Sequence, residues 1–304
     1  METTTTKMKD FQEDAVREAV MKGKKGVILQ GDTGSGKTKT SLEIAKRWAE
    51  CGDTKRRPWT LVVTKSMGGS MLDQWKRETY SAGVPKDATC VFHGSDRDER
   101  LRDWWFTDVD GDANANANAN ADASTSLMVC ITTPEIIQNA YKSGPCDSLL
   151  FGIPWGVVIS DEAHMWRNGS PRRDSREVDA DRRRYAAINC LIQMQNPKVI
   201  LVTATLMINN VFDVYSQGRL IPGVFQKSAW LNKEVDTGAW EMEKRKLDDI
   251  IVSIKMPSIM GSGKDVVDTI KYSITPREEE LMERNHYELR RAASGMLMRR
   301  RKRI

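Results

Sequence analysis

Residues 26–38 read GVILQGDTGSGKT, and most of what this chain can be follows from them. The first five positions form an apolar run of strand length. The next eight fit the pattern G-x-x-x-x-G-K-[ST], between a predicted strand and a predicted helix, which is the context a phosphate-binding loop requires. The physical reason is direct. Gly34 and Gly36 let the backbone wrap, so that N–H groups from Gly31, Asp32, Thr33, Gly34, Ser35 and Gly36 can converge on phosphate oxygens. The helix that follows adds partial positive charge at its start. Lys37 is placed to reach the β- and γ-phosphates, and Thr38 to offer a hydroxyl to Mg²⁺.

Further along, residues 157–164 read VVISDEAH, a buried-type strand ending in adjacent carboxylates. With a phosphate loop upstream, one carboxylate can serve the metal and the other the attacking water, a division that suits hydrolysis. Asp161 is the candidate metal residue and Glu162 the candidate base, so Glu162, Lys37 and Asp161 are the expected catalytic set. A guanine-specific N-K-x-D is not found. The Asn232-Lys233 pair is followed by Glu234 and Val235. ATP with Mg²⁺ is therefore the expected nucleotide.

Around these two motifs, short β-branched runs at 26–30, 60–64, 89–93, 127–132, 156–160 and 198–203 alternate with amphipathic stretches starting near 36, 70, 134, 181 and 209. That alternation predicts an α/β fold with a central parallel sheet and helices on both faces, three layers in all. It covers about residues 8–225. Residues 1–7 read as a disordered start. Residues 112–122, DANANANANAD, offer no apolar face, so 107–126 is expected to be a flexible insertion. Past residue 225 the reading is a helical and linker extension: a charged helix at 241–256, a linker at 256–264, a strand at 265–275 and a helix at 276–298.

Composition narrows the function classes. Apolar residues are 39% of the 304, and the 21 glycines bring the total near that of a folded globular chain. No run approaches the ~20 apolar residues of a membrane span, so no membrane partner is expected. The start, METTTTKMKD, is unlike a secretory signal. Cys51, Cys90, Cys130, Cys146 and Cys190 are scattered, with no C-x-x-C pair, which argues against a disulfide scaffold or zinc cluster. The net charge of +5 is local: residues 290–304 hold seven cations and no acid, so the other 40 cations and 42 acids leave the body at −2. The terminal MRRRKRI can be a nuclear-localisation signal, a nucleic-acid contact or the surface of a helix. The arginines at 167–184 are interleaved with acids and read as a solvated face or a phosphate-binding patch. Trp104-Trp105 reads as packing rather than base stacking.

These motifs, in this order, resemble the superfamily-two helicases, and within them the Swi/Snf family of DNA-translocating ATPases. The resemblance runs over about residues 8–225. It is carried by DFQ (10–12), the phosphate loop, LVVTKSMGGSMLDQWKRE (61–78), VFHGSDR (91–97), CITTPEII (130–137), DEAHMWRN (161–168) and LVTATLMINNVFDVYS (201–216). DEAH RNA helicases are the nearest rival, and Gln74-Trp75, the HGS triplet and Arg167-Asn168 favour the Swi/Snf reading.

What the resemblance implies is a RecA-like ATP-binding lobe. Gln12 would contact adenine. His164, Thr203 and Thr205 would couple the ATP site to the DNA groove, with Asn210 beyond. Lys65, Ser66, Thr132 and Thr133 would face the nucleic-acid backbone, as short donors after strand ends can. The family pairs two such lobes. VVDTIKYSITPREEEL (266–281) resembles the crossover toward the second, and no second set of βαβ units follows it in this sequence. The expectation is an ATP-binding lobe of a chromatin-remodelling-type, DNA-dependent ATPase that turns over poorly alone. Expected partners are duplex DNA and a second lobe or a chromatin complex. Its location would be nuclear, or cytoplasmic if the basic run is not a signal. A nucleotide-dependent regulator without turnover and a DEAH-type RNA helicase fragment stay open as alternatives.

Overall fold

The apolar runs that alternate with amphipathic stretches form strands buried on both faces, the packing that crossover helices impose on a parallel sheet. The computed structural model describes residues 8–23, 25–51, 59–65, 69–110, 127–169, 176–206, 211–224, 245–246 and 248–256. All belong to one unit, Met1–Pro257. The readings for residues 1–7, 111–126, Ser66, Arg172, Arg173, Asn210, the linker, the strand at 265–275, the helix at 276–298 and the basic tail lie outside the described residues, as do the side chains of Arg167, Asn168 and Arg176.

The strands are β1 (Gly26–Gln30), β2 (Trp59–Val63), β3 (Thr89–Val91), β4 (Met128–Thr132), β5 (Val157–Ser160), β6 (Lys198–Thr203) and β7 (Ile251–Ser253). They make one sheet in the order β3-β4-β2-β5-β6-β1-β7, with every pairing parallel. The helices are α1 (Asp10–Lys22), α2 (Lys37–Glu50), α3 (Ser70–Ser81), α4 (Arg97–Asp110), α5 (Pro134–Ser143), α6 (Leu149–Gly152), α7 (Arg176–Gln195) and α8 (Val211–Gly218). A short 3-10 segment, Ala163–Gly169, follows β5. None of the described helices is long and apolar enough to cross a membrane.

The core is contiguous. Val27, Ile28, Leu29, Leu61, Val62, Val63, Val129, Ile131, Val158, Ile159, Ile200 and Leu201 are all fully buried along the strand centres. Truncating one such side chain costs about 2–5 kcal/mol. Trp48, Trp75, Trp155 and Trp166 fill the space between sheet and helices. Trp104 is buried, and Trp105 lies against Trp59 with ring centroids 4.4 Å apart, so both pack as expected. Helix α1 docks on α2, where Arg47 bridges Glu13 at 2.8 Å and Glu43 at 3.0 Å.

Two of the readings change. Residues 107–110, read as the start of the flexible insertion, are helical and end α4 at Asp110. The predicted helix at 241–256 is corrected: Ile251–Ser253 is an edge strand paired in parallel with β1, Leu29 opposite Val252. Its cause is legible in hindsight. Ile250, Val252 and Ile254 are buried while Ser253 is exposed, the period of a strand. In the arginine-rich stretch, Arg184 lies on the helix face, partly exposed, and pairs with Glu135 of α5 at 3.3 Å and with Asp181 at 3.4 Å.

Candidate nucleotide site

Three motifs far apart in sequence meet because β1, β6 and β5 are neighbours in the sheet. Each motif follows the C-terminal end of its strand. Gln30 lies opposite Thr203, and Ser160 opposite Leu201. The phosphate loop, the TAT turn and the DEAH turn therefore leave the sheet side by side. Gly31 N–H donates to the Thr203 carbonyl at 3.2 Å, which ties the first residue of the loop to the first residue of the TAT turn.

The loop over residues 31–38 takes the shape its glycines permit. Gly34 and Gly36 sit at φ 83° and 79°, and Gly36 is the residue immediately before α2. A Cβ on Gly36 would collide with the Gln12 amide nitrogen. Gln12 is buried and used at both ends: its Oε1 accepts from Lys9 N–H at 3.0 Å and its Nε2 donates to the Ser35 carbonyl at 3.0 Å. In this state Gln12 braces the loop against the start of α1. Lys37 folds back onto the loop, donating from Nζ to the carbonyls of Gly31 and Asp32, both at 2.8 Å. Burial lowers its pKa, while the charges of Glu162, Asp161 and Asp32 oppose that shift. Ser35 Oγ is buried without a hydrogen-bond partner. Asp32, Thr33 and Gly34 are exposed, and Thr38 is half-buried.

At the end of β5, Asp161 is only 9% exposed. Its Oδ2 accepts from the Trp75 indole Nε1 at 2.8 Å and lies 3.5 Å from Thr64 Oγ1, and its Oδ1 accepts from Glu162 N–H at 2.9 Å. Burial pushes the Asp161 carboxyl up from its usual range, and the Trp75 hydrogen bond pulls the other way. Glu162 is held at φ 50°, in the left-handed region that a glutamate avoids. His164 Nδ1 lies 3.0 Å from Glu162 Oε2. That contact is the main reason the Glu162 carboxyl sits below its usual range, helped by the charges of Lys65 and Lys37. One residue upstream of Asp161, Ser160 Oγ accepts from the Trp166 indole at 2.6 Å.

The residues expected to couple or to face nucleic acid are placed unevenly. Thr203 Oγ1 donates to the Thr205 carbonyl at 2.8 Å and accepts from Thr205 N–H at 3.1 Å, closing a tight turn within the TAT triplet. Lys65 is half-buried and close enough to Glu162 to act on its charge. Thr132 is fully buried and donates to the Phe92 carbonyl at 3.1 Å, while Thr133 is 1% exposed where α5 begins. Ser66 lies outside the described residues.

The arrangement suits Mg²⁺ bound with a nucleotide. Each oxygen of a carboxylate carries two acceptor sites. Asp161 therefore keeps capacity on both oxygens after its bonds to Trp75 and Glu162 are made. The orphaned Ser35 hydroxyl and an ammonium resting on exchangeable carbonyls are a cradle with polar capacity to spare. Mg²⁺ takes one or two protein oxygens and completes its shell with water and phosphate. Asp161 and Thr38 match that donor set. Two partners were not legible from sequence alone: Trp75, whose indole reaches Asp161, and Trp166, whose indole reaches Ser160. The signal for Trp75 was its place in the Gln74-Trp75 pair after a strand, which marked likeness but not its contact.

Comparison with known proteins bears on the family and the fold. The profile of the family described as "Type III restriction enzyme, res subunit" matches residues 5–208. Transcription termination factor 2 of Drosophila melanogaster is 32% identical over 114 residues, which cover 37% of this chain and 8% of that protein. Among solved structures, the Sulfolobus solfataricus SWI2/SNF2 ATPase core in complex with dsDNA superposes with a TM-score of 0.52 at 18% identity, covering 82% of this chain and 44% of that one. The Pyrococcus furiosus Hef helicase domain gives a TM-score of 0.47 at 18% identity, covering 70% of this chain and 36% of that one. The chain thus spans less than half the length of these matches.

Proposed function

The chain belongs to the family of the type III restriction enzyme res subunit and has the fold of a Swi/Snf-like, helicase-type ATPase lobe, and from that premise we propose that it binds ATP·Mg²⁺ and hydrolyses it in response to duplex DNA. The observation that carries the reading is the convergence of Lys37 with Asp161 and Glu162. The charges of both carboxylates act on the ammonium, although it comes from a different motif.

The roles follow from the geometry. Lys37 exchanges the carbonyls of Gly31 and Asp32 for phosphate oxygens, a trade of neutral acceptors for charged ones that strengthens each bond. Backbone N–H groups of Asp32, Thr33, Gly34 and Gly36 face the remaining phosphate oxygens, since those of Gly31 and Ser35 donate to the Thr203 and Asp32 carbonyls. Asp161 and Thr38 hold the metal, which when bound neutralises charge developing on the phosphates. Glu162, with His164 Nδ1 3.0 Å from its Oε2 and its carboxyl below the usual range, orients the attacking water and accepts its proton. Thr203 links this end to the loop through the Gly31 N–H, so movement of the TAT turn is felt at the phosphates. Gln12 reads adenine only if its amide lets go of the Lys9 and Ser35 backbone; otherwise its role is to brace the loop.

Duplex DNA is the proposed partner because the structural neighbour was solved on dsDNA and Lys65 sits beside the catalytic end. A facing ATPase lobe, supplied in cis or in trans, is proposed to complete the site. Arginine fingers are worth about 10³–10⁵ in rate in related phosphoryl-transfer systems. A nuclear, chromatin-associated setting is the accompanying proposal, supported by the likeness to a transcription termination factor.

The test is steady-state ATP hydrolysis with and without duplex DNA, and with duplex RNA as a third arm, beside Glu162→Gln. The expected result is slow hydrolysis that DNA raises and the substitution abolishes. Equal rates for the wild type and Glu162→Gln would remove Glu162 from the mechanism. Stimulation by RNA alone would move the chain to the RNA helicases.

A further inference from the structure

Trp75 is 1% exposed and lies on α3, outside both the phosphate loop and the DEAH turn. Its indole N–H nevertheless ends on Asp161 Oδ2 at 2.8 Å. The other contact to that oxygen, from Thr64 Oγ1, is at 3.5 Å, the limit for a hydrogen bond. Trp75 is thus the one close donor to Oδ2 in the described structure. Buried indoles in this fold do not find acceptors by default. Trp59 Nε1 and Trp104 Nε1 are buried with no hydrogen-bond partner among the described residues. The indole has only two torsions, and its backbone is fixed in the helix, where the Trp75 carbonyl accepts from Thr79 Oγ1 at 2.8 Å. A rigid donor therefore meets a charged acceptor, and such bonds are short and directional.

We propose that Trp75 is a positioning residue for Asp161, holding the carboxylate in the orientation that receives the metal. The metal-dependent part of nucleotide affinity then depends on a side chain that touches neither metal nor nucleotide. Outer partners of this kind orient metal ligands generally, and their loss typically costs 10–100-fold in metal affinity. The proposal rests on the nucleotide reading above.

The experiment measures binding of a non-hydrolysable ATP analogue by the full chain, once with Mg²⁺ and once with EDTA. It compares wild type, Trp75→Phe, Asp161→Asn and the double variant. The expected result is that Trp75→Phe loses roughly tenfold or more of the gain that Mg²⁺ confers, with its EDTA affinity unchanged. The double variant should be no worse than Asp161→Asn alone. Nitrogen-15 indole spectra add a readout free of nucleotide. In Asp161→Asn, which keeps Trp75, one low-field indole resonance should move upfield and its proton should exchange faster. That arm stands even where Trp75→Phe does not fold. An unchanged indole spectrum in Asp161→Asn overturns the proposal. So does a folded Trp75→Phe that keeps the full Mg²⁺ gain, or one that loses affinity equally with and without Mg²⁺. A wild type that binds no nucleotide sinks the nucleotide reading and takes this proposal with it. Wild-type binding with an intact gain in Trp75→Phe sinks this proposal alone.

Discussion

The phosphate end of the sheet and its β3–β4 edge use the same device, short polar side chains at the ends of buried strands, but they direct those groups differently. At the phosphate end, polar groups are linked across elements and still have capacity left over. Lys37 rests on two backbone carbonyls, Asp161 retains acceptor sites, and Ser35 Oγ has no partner. At the edge, the Thr132 hydroxyl is used inside the fold on the Phe92 carbonyl, and Thr133 is buried. A group satisfied by backbone it can exchange is available for a ligand. A buried hydroxyl that staples two segments is available for stability.

That contrast can be broken at three places. Lys37→Ala should have the largest effect, removing charge-assisted bonds worth about 1.5–3 kcal/mol, or roughly 10–100-fold in nucleotide affinity. Thermal unfolding should hardly move. A large fall in melting temperature with affinity preserved would make Lys37 a staple like Thr132. Gly36→Ala comes next. It puts a side chain at φ 79° and into the Gln12 amide, costing about 1–3 kcal/mol of stability and loosening nucleotide as well, as read by melting and binding on the same sample. Thr132→Val should be the mildest. Its expected loss is about 0.5–1.5 kcal/mol of stability, with duplex-DNA affinity unchanged across salt concentrations. Weaker DNA binding without a stability loss would return Thr132 to the nucleic-acid face that the family resemblance implies.

The same contrast explains what could be read in advance. Strands β1, β2, β4, β5 and β6 were visible because each is an apolar run buried almost throughout, and such runs stand out from charged surroundings, whereas in the edge strand β3 only Cys90 is buried. The phosphate loop and the DEAH turn were visible because their chemistry needs fixed residue types at fixed local spacing. Strand β7 was hidden because Ile250, Val252 and Ile254 alternate over too few positions, beside a charged stretch with helical character. The Trp75–Asp161 bond was hidden for a different reason. It is a contact between α3 and the turn after β5 that no local period records, and it exists only once the sheet order places β2 beside β5. Gln12 shows a third case: the resemblance pointed to adenine, while the structure shows its amide joined to the Lys9 and Ser35 backbone.

Glu162 occupies the left-handed region, where an L-residue other than glycine, asparagine or aspartate pays roughly 1–2 kcal/mol. Under the role proposed for Glu162, heat tolerance and turnover therefore pull against each other at one backbone position. A population of variants selected only for surviving high temperature should drift toward Gly or Asn at residue 162. Its most robust members would melt later than the wild type and hydrolyse nothing.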